Sequence, residues 1–262
     1  MKSERNETIK MDNAVIPISL NDINCNIHFF GSISSGSNVP LFIMPIAGEV
    51  SDLIEGQHMR LDPIIESDEV SSHILVTFEV KNWNDDLSPW PAPAIGRNQN
   101  DFGGFSAKTL YWIQDGLIPK VTSYVPNVQN GHKGLLGYSM AGMFALWTMS
   151  QTDIFTVYAS CSGSLWYDGF CEYIERTTPL SICSIYISLG EREEFSRNPW
   201  FAKVGDATRK TASLLKTLPI CQEIQLVWNP GGHLGRVGER LAAAQLWMKK
   251  SVNNKSNNIT KD

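Results

Sequence analysis

The sequence KGLLGYSMAGMFALWTMS, residues 133–150, joins a short apolar run to a longer one without a loop between them. The first part is typical of a buried strand, and the second is typical of a buried helix. At the junction, Gly137 and Ala141 stand two residues before and two residues after Ser139. Small residues at these positions keep a helix clear of the strand that precedes it, so we predict a tight strand-to-helix turn with a strained serine. The Ser139 hydroxyl is then expected above the carboxyl edge of a parallel sheet, where such sheets bind ligands.

The same region is unusual in charge, because residues 134–152 contain no charged side chain. Its length is sufficient for a membrane span, but three glycines and several hydroxyl side chains dilute its apolar residues. The whole chain of 262 residues is 42% hydrophobic and 19% charged, with 22 basic and 27 acidic residues and a net charge of −5. This composition predicts a globular protein without a membrane anchor and without the basic surface that nucleic acid or anionic lipid requires.

The N-terminal sequence MKSERNETIKMDN is too polar for a secretory signal, and the five cysteines are widely spaced. We therefore expect reduced cysteines and a cytoplasmic protein. Zinc-binding spacings of Cys and His and a glycine-rich phosphate loop are absent from the sequence, so neither a metal nor a cofactor is expected.

Apolar runs along the chain alternate with stretches long enough to form helices. Strands are predicted at 14–20, 25–30, 40–45, 73–80, 133–138, 154–161, 182–189 and 223–229. Helices are predicted at 104–120, 140–151, 166–176, 200–217 and 234–250. The first two strands suit an antiparallel pair at one edge, and the later alternation predicts a mostly parallel sheet covered on both faces. The predicted organisation is a single three-layer α/β domain over residues 1–250, followed by a polar, disordered tail at 251–262.

A serine nucleophile needs a base at the same edge of the sheet. Four of the five histidines are less suitable: His28 and His73 lie in predicted strands, His132 precedes the nucleophile strand, and His58 is expected on a helix surface. His233 follows the strand at 223–229 through the flexible turn Asn-Pro-Gly-Gly, so we select it as the base.

An acid that orients this histidine is expected between the serine and the histidine in the chain, at another strand end. The strand at 182–189 leads into Gly-Glu-Arg-Glu-Glu, and Glu193 occupies the third position after the glycine, where a short turn can return its carboxylate toward the histidine. Glu193 is our first choice. Glu191, Glu194 and Asp168 remain alternatives.

Further site residues follow from their positions after strands. The Met140 N–H at the start of the helix is the expected oxyanion donor, and a second N–H is expected from Ile46 or Ala47, after the strand at 40–45. The long Pro-rich loop after the strand at 73–80 must pass near Ser139. Candidate substrate-binding residues are Trp83, Trp90, Trp166 and Arg97, with Arg192 and Arg197 as further cations for an anionic substrate. Tryptophans that only hold loops together are an equally good interpretation.

The motifs GYSMAGMFALW, SGSLWYDGF, LGEREEFSRNPWFAKVGD and NPGGHLGRV together resemble the putative-esterase group of α/β-hydrolases, which includes the enterochelin (siderophore) esterases. The resemblance covers residues 40–248 and aligns Ser139 and His233 with the nucleophile and base of that group. It implies an α/β-hydrolase fold and hydrolysis of a carboxylic ester, such as a siderophore lactone or a small acyl ester, through an acyl-enzyme. The expected partner is a small-molecule ester. Related enzymes more often have Asp where this chain has Glu193, and some members use a Ser/His pair alone.

The sequence is also compatible with two other functions. The same residues can transfer an acyl group to an acceptor other than water if the pocket excludes water. A catalytically silent hydrolase fold that binds a ligand is the alternative from a different class.

Overall fold

The computed structural model of the chain describes residues 8–9, 14–34, 36–48, 51–66, 72–96 and 100–259. The strands in these ranges are β1 (Thr8–Ile9), β2 (Val15–Leu20), β3 (Ile23–Phe30), β4 (Ile33–Ser34), β5 (Leu41–Ile46), β6 (His73–Glu79), β7 (Pro91–Ala92), β8 (Phe102–Gly103), β9 (Lys133–Tyr138), β10 (Val157–Cys161), β11 (Cys183–Gly190) and β12 (Cys221–Asn229). The helices are α1 (Ser51–Glu66), α2 (Trp83–Asp86), α3 (Ser106–Trp112), α4 (Ile118–Tyr124), α5 (Met140–Thr148), α6 (Phe170–Arg176), α7 (Pro199–Ala202), α8 (Val204–Lys216) and α9 (Val237–Ile259). A π-helical turn, Ile113–Leu117, joins α3 to α4, and short 3₁₀ turns occur at Pro126–Val128 and Glu193–Phe195.

Within the described ranges, eight strands form one sheet in the order β12-β11-β10-β9-β5-β6-β3-β2. The six strands from β12 to β6 are parallel to their neighbours, whereas β3 pairs antiparallel with both β6 and β2. This is the mostly parallel sheet with an antiparallel N-terminal edge that the sequence predicts, and the α/β-hydrolase fold class is confirmed. Strand β9, which leads into Ser139, lies between β10 and β5, inside the sheet and away from its edges.

Helices cover both faces of the sheet. Helices α1 and α9 pack against one face in a cluster that includes Leu61, Leu136 and Met248. Helices α3 to α6 and α8 cover the other face in a larger cluster. Every residue of α5 is buried, because this helix lies between the sheet and neighbouring elements. Burial on all sides explains why α5, the central part of the uncharged segment, carries no charge, since an unpaired buried charge is strongly destabilising.

The structure differs from the sequence predictions at two helices. Helix α1 is not predicted, because Pro63 and the many polar residues in Ser51–Glu66 weaken the apolar periodicity of the segment. The last helix continues to Ile259, beyond the domain end predicted at residue 250, and it buries Ser251 and Val252. The boundary of the predicted tail is therefore too early, because Val252 belongs to the apolar face of α9. None of the helices in the described part of the chain is long and apolar enough to cross a membrane.

Candidate active site

Ser139 occupies the sharp turn between β9 and α5. Its backbone is strained, with φ 59° and ψ −123°, and its N–H donates to the carbonyl of Cys161 at 3.1 Å. A Cβ atom on Gly137 would lie 2.1 Å from the carbonyl oxygen of Ala141, so a side chain at residue 137 would collide with the helix. The small residue that the motif places before the serine is therefore required by the close approach of helix and strand.

The loop after β12 brings His233 to Ser139. The distance from His233 Nε2 to Ser139 Oγ is 3.2 Å, and the distance from His233 Nδ1 to Glu193 Oε2 is 2.7 Å. An ionised carboxylate can only accept hydrogen bonds, so Nδ1 carries the proton and Nε2 has a free lone pair toward the serine hydroxyl. The histidine side chain is 42% exposed, whereas that of Glu193 is 4% exposed. Three side chains that are far apart in the sequence thus form one hydrogen-bonded chain.

The carboxylate of Glu193 receives three further hydrogen bonds, all on its other oxygen. Oε1 accepts from Ser162 Oγ at 2.7 Å, from the Gly190 N–H at 2.7 Å and from Arg240 Nη1 at 3.1 Å. Burial by itself raises the pKa of Glu193, but hydrogen bonds from His233, Ser162 and the Gly190 N–H outweigh it, so the pKa lies below its usual value. The acid is therefore ionised at neutral pH. A Cβ atom on Gly190 would lie 2.7 Å from Oε1, so glycine is needed where the acid returns.

The alternative acids occupy other environments. Both carboxylate oxygens of Glu194 accept from Arg209 Nη2 at 2.8 Å. Glu191 is exposed in the turn after β11, and its N–H donates to Asn229. The main-chain carbonyl of Asp168 accepts from a tryptophan indole. Of the four acids that the sequence leaves open, the structure brings only Glu193 into contact with the histidine.

The remaining histidines have partners away from Ser139. His28 Nε2 lies 3.0 Å from Thr77 Oγ1, and His73 Nε2 lies 2.6 Å from Gln245 Nε2. His58 contacts Asp62 within α1, and its ring, 15% exposed, stacks on buried Phe30 and does not lie on the expected helix surface. His132 contacts Thr156. Over the described ranges, no three His, Cys, Asp or Glu side chains come together in a group that could hold a metal ion.

A cavity of about 550 Å³ opens beside Ser139. Most of the exposed surface of its wall is apolar and partly aromatic, although eight of the seventeen lining residues are polar or charged. The lining residues are Trp83, Asn84, Ile95, Phe102, Ser139, Met140, Ser162, Ser164, Trp166, Arg192, Glu193, Ser196, Phe201, Val204, Gly232, His233 and Leu234. A cavity of this volume, with a mostly apolar wall and convergent polar atoms, is typical of a site for a small molecule.

The predicted substrate-binding residues divide into three groups. Trp83 and Trp166 line the cavity, as does Arg192. Trp90 is not among the described residues that line it. Its indole N–H donates to the carbonyl of Asp168 at 3.0 Å, and its ring packs on tyrosines at 167 and 173, so this tryptophan holds two loops together. These contacts favour the second interpretation that the sequence leaves open for Trp90, a tryptophan that holds loops together. Arg97 lies outside the described residues, and Arg197 is not among the described residues of the cavity wall.

Of the three residues expected to supply oxyanion donors, one is among the described residues that line the cavity. Met140 lines it, and its N–H is at the first position of α5, where a helix has no internal partner for that group. Ile46 ends β5, the strand beside β9, and Ala47 follows it at the same edge of the sheet. Neither Ile46 nor Ala47 is among the described residues that line the cavity.

Sequence reasoning missed three side chains near Ser139. Ser164 Oγ lies 3.3 Å from Ser139 Oγ, and its N–H donates to the Ser139 carbonyl at 3.0 Å. Ser162, with a strained φ of 46°, and Arg240 both contact Glu193. An isolated basic residue in a helix resembles any surface arginine, so the sequence carries no local signal for Arg240. The two serines follow a predicted strand, and that position is the one signal that could have identified them.

Known proteins resemble this chain in sequence and in structure. The family described as Putative esterase matches residues 54–218, well over half of the chain. The uncharacterized protein YbbA of Bacillus subtilis is 25% identical over 147 residues, a segment that covers 55% of this chain and 58% of YbbA. The siderophore hydrolase EstA of Aspergillus nidulans superimposes with a TM-score of 0.72 at 15% identity, covering 96% of this chain and 99% of EstA.

A second solved structure has the same fold. An IroE-like serine hydrolase from Shewanella oneidensis superimposes with a TM-score of 0.72 at 16% identity, covering 87% of this chain and 76% of that protein. Structural likeness at this identity indicates a shared fold. The match to the family is one of sequence, whereas the matches to solved structures are matches of fold. The residues that match the family include both Ser139 and Glu193. The chain belongs to the Putative esterase family.

Proposed function

We propose that the protein hydrolyses a carboxylic ester with Ser139 as nucleophile, His233 as base and Glu193 as the acid that orients the base. The observation that carries this proposal is the hydrogen-bonded chain of these three side chains in the wall of the cavity. Membership of the Putative esterase family supports the same reaction class. The names of the structural neighbours EstA and the IroE-like enzyme agree with hydrolase chemistry.

The reaction follows from the protonation states. His233 Nε2 takes the proton of Ser139 as its oxygen attacks the carbonyl carbon of the ester. The protonated histidine is stabilised by the ionised Glu193 at Nδ1, and it then gives the proton to the departing alcohol oxygen. An acyl group remains on Ser139. A water molecule, deprotonated by the same histidine, releases it as the carboxylic acid and restores the serine.

The negative charge on the carbonyl oxygen needs donors that are already in place. The Met140 N–H at the start of α5 is one donor, supported by the positive end of the helix dipole. A main-chain N–H of Ile46 or Ala47 is proposed as the second, because β5 ends beside β9 at the same edge of the sheet. Removing one such donor typically costs about 10²- to 10³-fold in kcat.

The cavity wall favours an ester with an apolar or aromatic group. Trp83, Phe102, Trp166 and Phe201 provide broad faces, and Arg192 is a nearby cation for a polar end of the substrate. A small acyl ester and a siderophore lactone both meet these requirements. Water reaches the base readily, since the side chain of His233 is 42% exposed, and this favours hydrolysis over acyl transfer to another acceptor.

A fluorophosphonate probe tests the nucleophile directly. The folded protein is incubated with the probe and its intact mass is measured; we expect one adduct on the wild type and none on Ser139→Ala. The His233→Ala variant should react much more slowly, because its serine has no base. The variant Ser164→Ala removes the hydroxyl that lies 3.3 Å from Ser139 Oγ and should still form the adduct.

An unlabelled but correctly folded wild type would refute the serine mechanism, as would an adduct that survives in Ser139→Ala. A panel of short acyl esters, aromatic esters and catecholate lactones then defines the substrate. Turnover of at least one ester, abolished by Ser139→Ala, is the expected result.

A further inference from the structure

Arg240 is a buried cation beside the candidate active site. The residue belongs to α9 and is 2% exposed. Its Nη1 atom lies 3.1 Å from Glu193 Oε1, 2.9 Å from Ser162 Oγ and 3.0 Å from the Tyr138 hydroxyl. A buried guanidinium must be paired and hydrogen-bonded to be tolerated, and here one nitrogen reaches three groups around the acid.

The second terminal nitrogen of Arg240 contacts a different segment. Nη2 donates to the main-chain carbonyls of Pro230 and Gly232, both at 3.0 Å. These carbonyls belong to the turn that leads directly to His233. One planar guanidinium therefore joins the turn that carries the base to the carboxylate that orients the base.

A third connection runs through the residue before the nucleophile. The Tyr138 hydroxyl donates to the main-chain carbonyl of His233 and faces Arg240 Nη1. Tyr138 is covalently joined to Ser139, so the arginine is linked to all three members of the proposed triad. Arg240 does not line the cavity among the residues described, and its effect on a substrate must pass through these partners.

The hydrogen bonds on Glu193 show what this arrangement achieves. Arg240, Ser162 and the Gly190 N–H all bind Oε1, which leaves Oε2 for His233. With one oxygen held by three donors, the carboxylate cannot rotate without breaking several bonds. Its direction toward the histidine is fixed before a substrate binds.

We propose that Arg240 is a positioning residue, which sets the acid and the histidine loop in line with Ser139; this inference rests on the function proposed above. This role requires the planar shape of the arginine side chain as well as its positive charge. Lysine supplies the same charge but has one compact ammonium in place of the planar fork, so it cannot hold both the carboxylate and the two loop carbonyls.

The variants Arg240→Lys and Arg240→Met test this role. We expect Arg240→Lys to fold and to lower kcat for a p-nitrophenyl ester by about 10- to 100-fold, with KM within twofold of the wild type, since a shift of about 1 Å in a catalytic group has effects of this size. Rates are expressed per site titrated with the fluorophosphonate, so that unfolded protein does not count. Arg236→Lys is the matched control, because Arg236 is 65% exposed in its side chain and bridges Glu239 on the surface; its kcat should be unchanged.

Coupling to the acid separates positioning from general stabilisation. In a Glu193→Gln background, Arg240→Lys should lower kcat by a clearly smaller factor than in the wild type, because the part of its effect that passes through the ionised acid has already been lost, while the part that passes through the histidine loop remains. An Arg240→Lys enzyme with kcat per titrated site within threefold of wild type would overturn the proposal, and so would an equal loss in both backgrounds. If Arg240→Met does not fold, the lysine variant still decides the question. Failure of the proposed function is a different result, namely a wild type that neither labels nor hydrolyses any ester.

Discussion

Replacing Glu193 by glutamine tests how the acid controls the base. Glutamine has nearly the same shape, but one of its two terminal atoms is an NH₂ group that only donates. Three donors converge on the Oε1 position, so the amide oxygen is expected to occupy it and the NH₂ group to face His233 Nδ1. The histidine must then accept at Nδ1 and carry its proton on Nε2. In that tautomer it cannot take the proton from Ser139.

The expected loss in kcat for Glu193→Gln is about 10⁴-fold, the value associated with a histidine held in the wrong tautomer. This corresponds to a barrier higher by about 5.5 kcal/mol. The variant should also unfold more easily, by about 3 kcal/mol, because Arg240 loses the charge that it pairs with at 3.1 Å. The activity loss is far larger than any loss of folded protein at moderate temperature, so the two effects can be separated.

The assay is the turnover of a p-nitrophenyl ester per folded molecule, with thermal unfolding followed by circular dichroism. Glu194→Gln is the matched control, since that carboxylate pairs with Arg209 and lies one residue away. It should keep kcat within twofold of the wild type. A Glu193→Gln enzyme that loses less than tenfold in kcat would refute the tautomer argument, and it would favour a mechanism that depends on the serine and histidine alone.

Lys249 is 2% exposed, and burial lowers its pKa from 10.5 to about 8. Between pH 8 and pH 10.5 the unfolded chain therefore binds more protons than the folded chain, and the free energy of unfolding rises with pH. At pH 7 Lys249 is charged in both the folded and the unfolded state, so Lys249→Met should raise the free energy of unfolding by up to about 3 kcal/mol in chemical denaturation and flatten its pH dependence above pH 8. Lys250→Met, at an exposed position, should change neither the free energy of unfolding nor its pH dependence. Equal effects of the two substitutions would contradict the assignment of this pH dependence to Lys249. Phe201 packs edge-on against Trp166 in the cavity wall, so Phe201→Ala should raise KM for an aromatic ester about 5- to 20-fold and leave kcat nearly constant. A kcat that falls with KM unchanged would place Phe201 in the reaction itself.

The features that could be predicted from sequence are those with a local steric cause. The turn at Ser139 requires small residues at fixed distances, and that requirement can be read from five consecutive positions. His233 and Glu193 both follow strands that end at the same edge, so the order of strands and helices makes them the first choices, but it leaves Glu191, Glu194 and Asp168 open as alternative acids. The structure adds the contacts that join these residues, with a distance of 2.7 Å between the acid and the base.

The features that could not be predicted depend on packing between distant segments. Trp90 and Trp166 belong to equally aromatic stretches, and only the three-dimensional structure shows that one binds a loop carbonyl while the other faces the cavity. Arg240 is separated from Glu193 by 47 residues, and nothing in its neighbourhood in α9 distinguishes it from an exposed arginine. Helix α1 was missed because Pro63 and its polar side chains hide the periodicity.

The groups that hold Glu193 in place are different from the groups that form the aromatic wall of the cavity. The groups that hold the acid by Oε1 come from the residue that follows β10, from the end of β11 and from α9, whereas Trp83, Phe102 and Phe201 of the aromatic wall lie in other segments. Because the aromatic side chains make none of the hydrogen bonds on Oε1, substitutions in the wall can accumulate without removing a donor that holds the acid. Substrate selectivity and catalytic activity then depend on different residues of the same fold. Directed evolution toward new esters should begin in the wall and leave the arginine and its partners untouched.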